Sequence, residues 1–217
     1  MWQAQSIGGD WISGRTSTAV DEKSVYVGSN WGNGLFALNR QTGVVVWNKK
    51  EGFRTTHSSP VVCGGTVYYA ADNKLYALGK ETGKELWRAE LVGGWTVSSP
   101  VVKNSTIVVG SPDGKILAFD AQTGQRLWSY QTKTAIGSFS AYQRGGAQVM
   151  ASPSISGDKV YIGSNDGNVY VLDLKTGEKL WSYGLGVQVM YVSAVSGNNI
   201  YVTTYDGNVY AFVQWKS

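Results

Sequence analysis

The sequence is poor in residues that form cross-links or catalytic centres: its 217 residues include one cysteine, one histidine and four prolines. The single Cys63 cannot form an internal disulfide, and the single His57 lacks the partners from which a zinc site is built. Charged residues make up only 16% of the chain, so the composition is not that of a disordered protein. No apolar run has the length of a transmembrane helix, and Met1-Trp2-Gln3 does not open a signal peptide.

Glycine and tyrosine are abundant, with 28 and 13 residues, as expected for many short strands joined by tight turns. The net charge is +4, but the basic residues are scattered and form no block of like charge. Such a distribution indicates solvated edges rather than a nucleic-acid footprint. We therefore expect no nucleic-acid partner and no membrane insertion.

Four copies of one motif, T-G-x-x-x-W, run through the chain at nearly regular spacing. Successive tryptophans lie 40, 41 and 53 residues apart, and a small residue stands ten positions before each of them. A period near 40 residues made of short alternating strands is typical of a β-propeller or another repeat array. The four copies end at Trp47, Trp87, Trp128 and Trp181.

Each repeat predicts four strands, the fourth of which carries the tryptophan. The first three strands occur five times, but the fifth repeat ends without its tryptophan strand, whereas residues 1–9 align with residues 86–94. A closed ring hides strand edges that an open array exposes. We therefore expect one domain, 1–217, which is an all-β, five-bladed β-propeller of four-stranded antiparallel blades. Its N-terminal strand, residues 1–5, is expected to join the last blade and close the ring.

Two kinds of turn recur between these strands. Asp120 and Asp173 open the turns of the last two T-G motifs and are predicted to cap them. Asp-Gly pairs at 113–114, 166–167 and 206–207 stand between second and third strands. They predict tight hairpins, since both central residues of an Asp-Gly turn can take positive φ.

The stretch Ala118-Phe-Asp-Ala-Gln-Thr-Gly-Gln-Arg-Leu-Trp128 resembles the tryptophan-docking motif of pyrroloquinoline-quinone-like propeller repeats. The copy that ends at Trp181 is similar, as are the Ser-Ser-Pro-Val-Val segments at 58–62 and 98–102. The resemblance covers essentially the whole chain and implies that each docking tryptophan packs onto a neighbouring blade. By this resemblance the structural docking residues are Trp2, Trp47, Trp87, Trp128 and Trp181.

The resemblance is to the non-catalytic branch of that family. Its quinone-dependent dehydrogenases carry adjacent cysteines and a set of acidic and amide calcium ligands, which this chain does not have. We therefore expect no cofactor and no metal. The non-catalytic members include a lipoprotein that assists outer-membrane protein assembly and sensor domains of kinases. They imply a protein or peptide partner, with carbohydrate as a further option, and an extracytoplasmic location.

Five-bladed rings also include glycosidases, which need two or three carboxylates converging on a central pocket. The predicted first strands contain no Asp or Glu, which argues against that class. Two hypotheses stay open. In the first, the chain is a non-catalytic scaffold that has no catalytic residues and binds a protein, a peptide or a small ligand. In the second, it is an enzyme, either quinone-dependent or glycan-processing.

The connections from strand four to the next strand one vary in length. Three of them place the serine of strand one 12 residues after the tryptophan, but Trp128 and Ser152 lie 24 residues apart. In repeat arrays, insertions concentrate on the binding face, so the long loop at 134–146 marks the predicted face. The predicted ligand-binding residues are Trp11, Arg15, His57, Trp95, Tyr142, Arg144 and Tyr191. For Trp11 and Trp95, packing within their own loops is an equally good explanation.

Overall fold

The computed structural model describes residues 1–3, 16–29, 34–50, 57–93, 96–136, 149–196 and 199–213. Regular structure in these residues is β-strand throughout, arranged in five antiparallel sheets. None of the residues described forms a helix long and apolar enough to cross a bilayer. The chain divides into two compact units. Unit 1 comprises Met1–Leu91 and Trp95–Pro100, and unit 2 comprises Val92–Gly94 and Val101–Ser217.

Unit 1 contains two four-stranded sheets, each in sequential strand order. The first sheet consists of β1 (Ala19–Val20), β2 (Ser24–Ser29), β3 (Gly34–Asn39) and β4 (Val45–Lys49). The second consists of β5 (Val61–Cys63), β6 (Thr66–Ala71), β7 (Lys74–Gly79) and β8 (Glu85–Glu90). These are the four strands per repeat that the sequence predicts.

Unit 2 contains two four-stranded sheets and one of three strands. The third sheet consists of β9 (Val101–Lys103), β10 (Thr106–Gly110), β11 (Lys115–Asp120) and β12 (Arg126–Gln131). The fourth consists of β13 (Ser154–Ser156), β14 (Lys159–Gly163), β15 (Asn168–Asp173) and β16 (Lys179–Gly184). The fifth consists of β17 (Val189–Ser196), β18 (Asn199–Thr204) and β19 (Val209–Phe212). Five sheets fit five blades, and the last one lacks a fourth strand among the described residues.

The middle strands hold most of the core because their side chains are buried on both faces. On β7, the consecutive residues Leu75 and Tyr76 are 0% and 2% exposed. Successive side chains of a strand point to opposite faces, so this sheet is covered on both sides, as apolar residues on both faces predict. A core cluster that includes Tyr26, Trp47 and Tyr69 joins the first and second sheets.

The first strands begin later than the sequence suggests. In the second and third sheets they start at Val61 and Val101, directly after the prolines of the Ser-Ser-Pro segments, because proline cannot donate to a ladder. The serines make a different contact. The backbone N–H of Ser17 donates to Ser59 Oγ at 2.8 Å, and that of Ser59 donates to Ser99 Oγ at 2.8 Å.

The predicted Asp-Gly hairpins are present, and each loop has three residues, because Ser111, Ser164 and Thr204 donate their N–H to the carbonyls of Lys115, Asn168 and Asn208. Only the glycines take positive φ, at 83° for Gly114, 81° for Gly167 and 84° for Gly207. The aspartate instead uses its side chain, as in Asp166 Oδ1, which accepts from Asn168 N–H at 2.9 Å. A type I turn followed by a left-handed glycine gives this loop length.

Candidate functional site

Most of the predicted ligand-binding residues lie outside the described part of the chain: Trp11, Arg15, Trp95, Tyr142 and Arg144. The two that are described fall in different units. His57 precedes β5 in unit 1 and is partly buried, whereas Tyr191 of β17 in unit 2 is 50% exposed. The site is therefore built here from the described residues of unit 2.

The long connection between the third and fourth sheets is fastened where it leaves β12. Thr132 donates from both its N–H and its hydroxyl to the carbonyl of Gly114, at 3.0 and 2.7 Å. Ile136 then donates its N–H to the carbonyl of Asn165 at 3.1 Å. At the far end, Val149 N–H donates to Ser111 O at 3.2 Å. Both described ends of the connection are thus tied to hairpin loops between second and third strands.

Asp166 is the main anchor at the fourth sheet and is only 5% exposed. Its Oδ2 accepts from the hydroxyl of Tyr170 at 2.5 Å and from Lys133 N–H at 2.8 Å, while Oδ1 accepts from Asn168. Burial and the neighbouring Asp166 carboxylate both raise the pKa of Tyr170, so the phenol stays a donor. A buried carboxylate with this many donors holds the start of the connection in one position.

The loop that carries Asp166 is also held by the connection that leaves the fourth sheet. Leu185 N–H donates to Gly167 O at 2.8 Å, and Val189 N–H donates to Ser164 O at 3.2 Å. The β12–β13 connection and the β16–β17 connection therefore both form hydrogen bonds with the β14–β15 loop. Rigid loop backbones of this kind position exposed side chains at little entropic cost on binding.

Gln188 joins this region to the fifth sheet. Its side-chain Nε2 donates to the carbonyl of Ile136 at 3.1 Å, and its own carbonyl accepts from Tyr205 N–H at 3.0 Å. Gln188 is 9% exposed. It thereby links the incoming connection of the fourth sheet to the β18–β19 loop.

Three large side chains are exposed around the hydrogen bonds that Gln188 makes. Ile136 is 39% exposed, Tyr191 50% and Tyr205 59%. Strand register places the two tyrosines at one end of the fifth sheet, since Tyr191 pairs with Thr203 and Tyr205 follows directly after β18. We call Ile136, Gln188, Tyr191 and Tyr205 the connection face of unit 2.

The sequence analysis names only Tyr191 of this face individually, and the predicted long loop at 134–146 includes Ile136. Loop length pointed to the insertion between β12 and β13, but the connection that carries Gln188 has the ordinary length. Tyr205 stands in a turn that looked repetitive because of its Asp-Gly-Asn sequence. The available signal was the large aromatic residue directly before that turn, where the third and fourth sheets have Pro112 and Asn165.

The aspartates that open the T-G turns cap them, as predicted. Asp120 Oδ1 accepts from Thr123 N–H at 2.7 Å, and Asp173 Oδ1 accepts from Thr176 N–H at 2.8 Å. The hydrogen bonds from Thr123 and Thr176 lower the pKa of these two carboxyls. Among the residues that the structure describes, no group of three or more His, Cys, Asp or Glu could hold a metal ion.

Two tryptophans of strand four, Trp47 and Trp128, rest on the T-G glycines of the next repeat. The indole N–H of Trp47 donates to Lys80 O at 2.8 Å beside Gly83, and that of Trp128 donates to Leu174 O at 2.9 Å beside Gly177. These glycines have φ of 67° and 72°. A methyl group on either would overlap the indole ring.

Trp2 makes the same contact at the start of the chain. Its indole N–H donates to Arg40 O at 2.9 Å, and its ring lies against Gly43, which has φ of 72°. Trp2 is 37% exposed, compared with 8% for both Trp47 and Trp128.

A family model described as "Outer membrane protein assembly factor BamB" matches residues 49–217. The chain belongs to this family of PQQ-like repeat proteins. Over 79 residues it is 32% identical to the outer membrane protein assembly factor BamB of Burkholderia pseudomallei, a match that covers 36% of the chain and 19% of that protein. Over 73 residues it is 37% identical to the quinohemoprotein alcohol dehydrogenase ADH IIB of Pseudomonas putida, covering 31% of the chain and 10% of that enzyme.

The crystal structure of BamB from Moraxella catarrhalis has the same fold, with a TM-score of 0.77 at 20% identity. That alignment covers 91% of this chain and 60% of the BamB structure. The chain thus spans less than two thirds of the length of each of these relatives, and the likeness to the solved structure concerns the fold alone.

Proposed function

We propose that the chain is a non-catalytic propeller scaffold that binds a protein or peptide through the connection face of unit 2. The observation that carries this proposal is the exposure of Ile136, Tyr191 and Tyr205 around the buried Gln188. Tyrosines and an aliphatic side chain on a rigid base are the residue types that anchor protein interfaces. Backbone hydrogen bonds on both sides of Gln188 supply that base.

Three carboxylates with structural hydrogen bonds support a scaffold over an enzyme. A general acid or nucleophile needs a carboxylate with an oxygen directed at the substrate. Asp120 and Asp173 instead cap turns through their hydrogen bonds to threonines. Asp166 accepts hydrogen bonds at both oxygens from within its own sheet and the adjoining connection.

Family membership supports a polypeptide partner. The matching family and one curated relative are outer membrane protein assembly factors. We propose that this chain likewise binds a polypeptide of outer membrane protein assembly. Carbohydrate, which tyrosines also contact through their ring faces, is the alternative ligand that the test includes.

The residues here do not fit a quinone cofactor of the dehydrogenase kind. The resemblance to those enzymes would call for adjacent cysteines, but the 217 residues contain only Cys63, which is exposed on β5. The match to the Pseudomonas putida dehydrogenase spans 73 residues, about two repeats of the 40-residue period. That match therefore supports the view that this chain and the dehydrogenase share the repeat, and it does not support a cofactor site in this chain.

The five sequence-predicted residues outside the described ranges keep their place in the proposal, as does His57. Tyr142 and Arg144 belong to the connection whose ends are tied to Gly114 and Ser111, so we propose them as further contacts beside the connection face. Trp11, Arg15, His57 and Trp95 belong to unit 1. We propose them as ligand contacts on the corresponding connections of that unit.

We also propose that the five sheets are five blades of one ring, closed by the N-terminal segment. Two observations support this proposal: residues 1–9 align with residues 86–94, and the fifth sheet has three strands among the described residues.

A calorimetric panel tests the proposed function. It contains an unfolded outer membrane protein, a set of glycans and the quinone with and without calcium. Binding of the polypeptide alone supports the scaffold. Stoichiometric quinone binding, or hydrolysis of a glycan, would replace it with one of the enzyme hypotheses.

A further inference from the structure

Each four-stranded sheet exposes an apolar residue on its fourth strand, directly before the docking tryptophan. These residues are between 43% and 57% exposed: Val46, Leu86, Leu127 and Leu180. The fourth strand ends the strand order of its sheet, and an exposed apolar residue on such an edge favours association with another chain. The neighbours of this residue therefore decide whether the edge is protected.

Charged residues precede this position in three of the four sheets. The T-G-x-x-x-W motif reads T-G-K-E-L-W in the second sheet, T-G-Q-R-L-W in the third and T-G-E-K-L-W in the fourth. A charge beside an exposed apolar residue of an edge strand acts as a gatekeeper, because association with a second chain would bury that charge. These three fourth strands are therefore protected against self-association.

The first sheet lacks this protection. Its motif reads T-G-V-V-V-W, so valines stand at both positions that carry charged or amide side chains in the other three sheets. Val44, Val45 and Val46 are 64%, 44% and 51% exposed, and we call these three residues the valine segment of unit 1. The partly exposed ring of Trp2 extends this surface, because it lies against Gly43. A run of three exposed apolar residues is a feature that needs a functional reason.

Symmetry identifies the partner that the valine segment fits. In a two-fold contact between identical copies, the residue at the axis faces its own counterpart. At the position of Val45, the other three sheets have a charged residue: Glu85, Arg126 and Lys179. Each of these would face a like charge across such an axis, which opposes association, whereas Val45 would face a second valine. Among these four strands, β4 is thus the one that can meet a copy of itself without charge repulsion at the axis.

We infer that the valine segment is a self-association surface, and that its occupant is the valine segment of a second copy of this chain, with Val45 at the two-fold axis. The pairing of β3 with β4 shifts register at Val46, since Ala37 pairs with Trp47 and Leu38 with Val45. Because such a bulge disturbs the ladder locally, the contact is made by side chains and requires no continuous sheet between the copies. The segment belongs to unit 1, so the inference is independent of the connection face of unit 2.

Sedimentation equilibrium of the full chain tests this inference. The mean mass is expected to rise with protein concentration toward that of a dimer, with a dissociation constant of about 0.1 mM, because three valines per copy make a small interface. Val45→Lys and Val45→Glu, each measured alone at low ionic strength, are expected to weaken association at least tenfold, since each places like charges across the axis. Lysine and glutamate occupy this position naturally in the fourth and second sheets, so both variants should keep the fold.

An equimolar mixture of the two variants gives the most specific result. A lysine of one copy then faces a glutamate of the other, so the mixture is expected to associate at least fivefold more tightly than either variant alone. The matched control is Leu180→Lys on β16, because Leu180 is 43% exposed and Val45 44%. This control should associate as the natural chain does.

Three results would overturn the inference. The first is a natural chain that stays monomeric at about 1 mM. The second is a mixture that associates no more tightly than the separate variants, because Val45 then does not face its own counterpart. The third is an equal loss of association in Leu180→Lys, which would show that the contact does not depend on the valine segment.

Discussion

Gln188 donates a hydrogen bond from its side-chain amide to the carbonyl of Ile136, 52 residues earlier in the chain. The same residue accepts from Tyr205 through its own carbonyl. One glutamine thus holds two loops of different sheets in a fixed arrangement, and an exposed side chain stands on each of them.

Replacing Gln188 by alanine is expected to loosen Ile136 and to lower the free energy of unfolding by about 1 kcal/mol, the usual contribution of one hydrogen bond. Polypeptide affinity should fall as well, because the base of the connection face becomes mobile. Gln122→Ala, at an exposed position of a T-G turn, is the control and should change neither quantity. Chemical denaturation and calorimetry measure both effects.

Asp166→Asn is expected to destabilise the protein by about 2–4 kcal/mol, since a buried charged acceptor with several donors is lost. The single amide oxygen can accept either from Tyr170 and Lys133 or from Asn168, and the amide nitrogen would face the other set of donors. Asp206→Asn changes the equivalent residue of an exposed loop and should cost much less. Equal losses in the two variants would show that Asp166 is an ordinary turn residue.

The tryptophan contact at the T-G turns can be separated from the cost of backbone strain. Gly83→Ala places a methyl group in the Trp47 ring at a φ of 67°, whereas Gly64→Ala meets nothing within 4 Å at a φ of 58°. Gly64→Ala should cost about 1–2 kcal/mol from the left-handed backbone alone. Gly83→Ala should cost about 1–3 kcal/mol more from overpacking. Thermal unfolding of the two variants gives the difference directly.

Stability should fall at alkaline pH in a way that depends on Tyr26. Burial, followed by the Asp21 carboxylate, raises the pKa of Tyr26 to about 12. The folded state favours the neutral phenol. The contribution of Tyr26 to the free energy of unfolding is therefore fully present below about pH 10, the pKa of tyrosine in the unfolded chain. It is lost as the pH rises toward 12. The stability difference between the natural chain and Tyr26→Phe should therefore narrow between these limits, and a constant difference would contradict the assignment.

The sheets could be predicted from the sequence because several independent patterns repeat with the same period. Tryptophan spacing, alternating apolar residues and Asp or Thr at the turns all repeat in phase, and each is a local cause of the strands now seen. The start of the first strands was the exception. The serines before Val61 and Val101 bond to neighbouring repeats instead of entering a ladder, and a single repeat does not show that contact.

The connection face was harder to predict because it depends on contacts between segments far apart in sequence. Tyr191 belongs to a predicted first strand, so the repeat pattern alone points to it. Gln188 looked ordinary, since its importance comes from the Ile136 carbonyl, which only the folded chain brings close. Tyr205 was overlooked because its turn resembles two others, although it alone places an aromatic ring there.

The most direct test of the account compares polypeptide binding in two variants of the connection face with binding in one control variant of matched exposure. Tyr191→Ala removes a ring from the connection face, and Tyr183→Ala removes one from the outer strand β16; both tyrosines are 50% exposed. Affinity for an unfolded outer membrane protein, measured by calorimetry, should fall about tenfold or more in Tyr191→Ala. The same fall is expected in Tyr205→Ala, while Tyr183→Ala stays unchanged. Equal affinity in all three variants, or a loss confined to Tyr183→Ala, would contradict the connection face as the binding site.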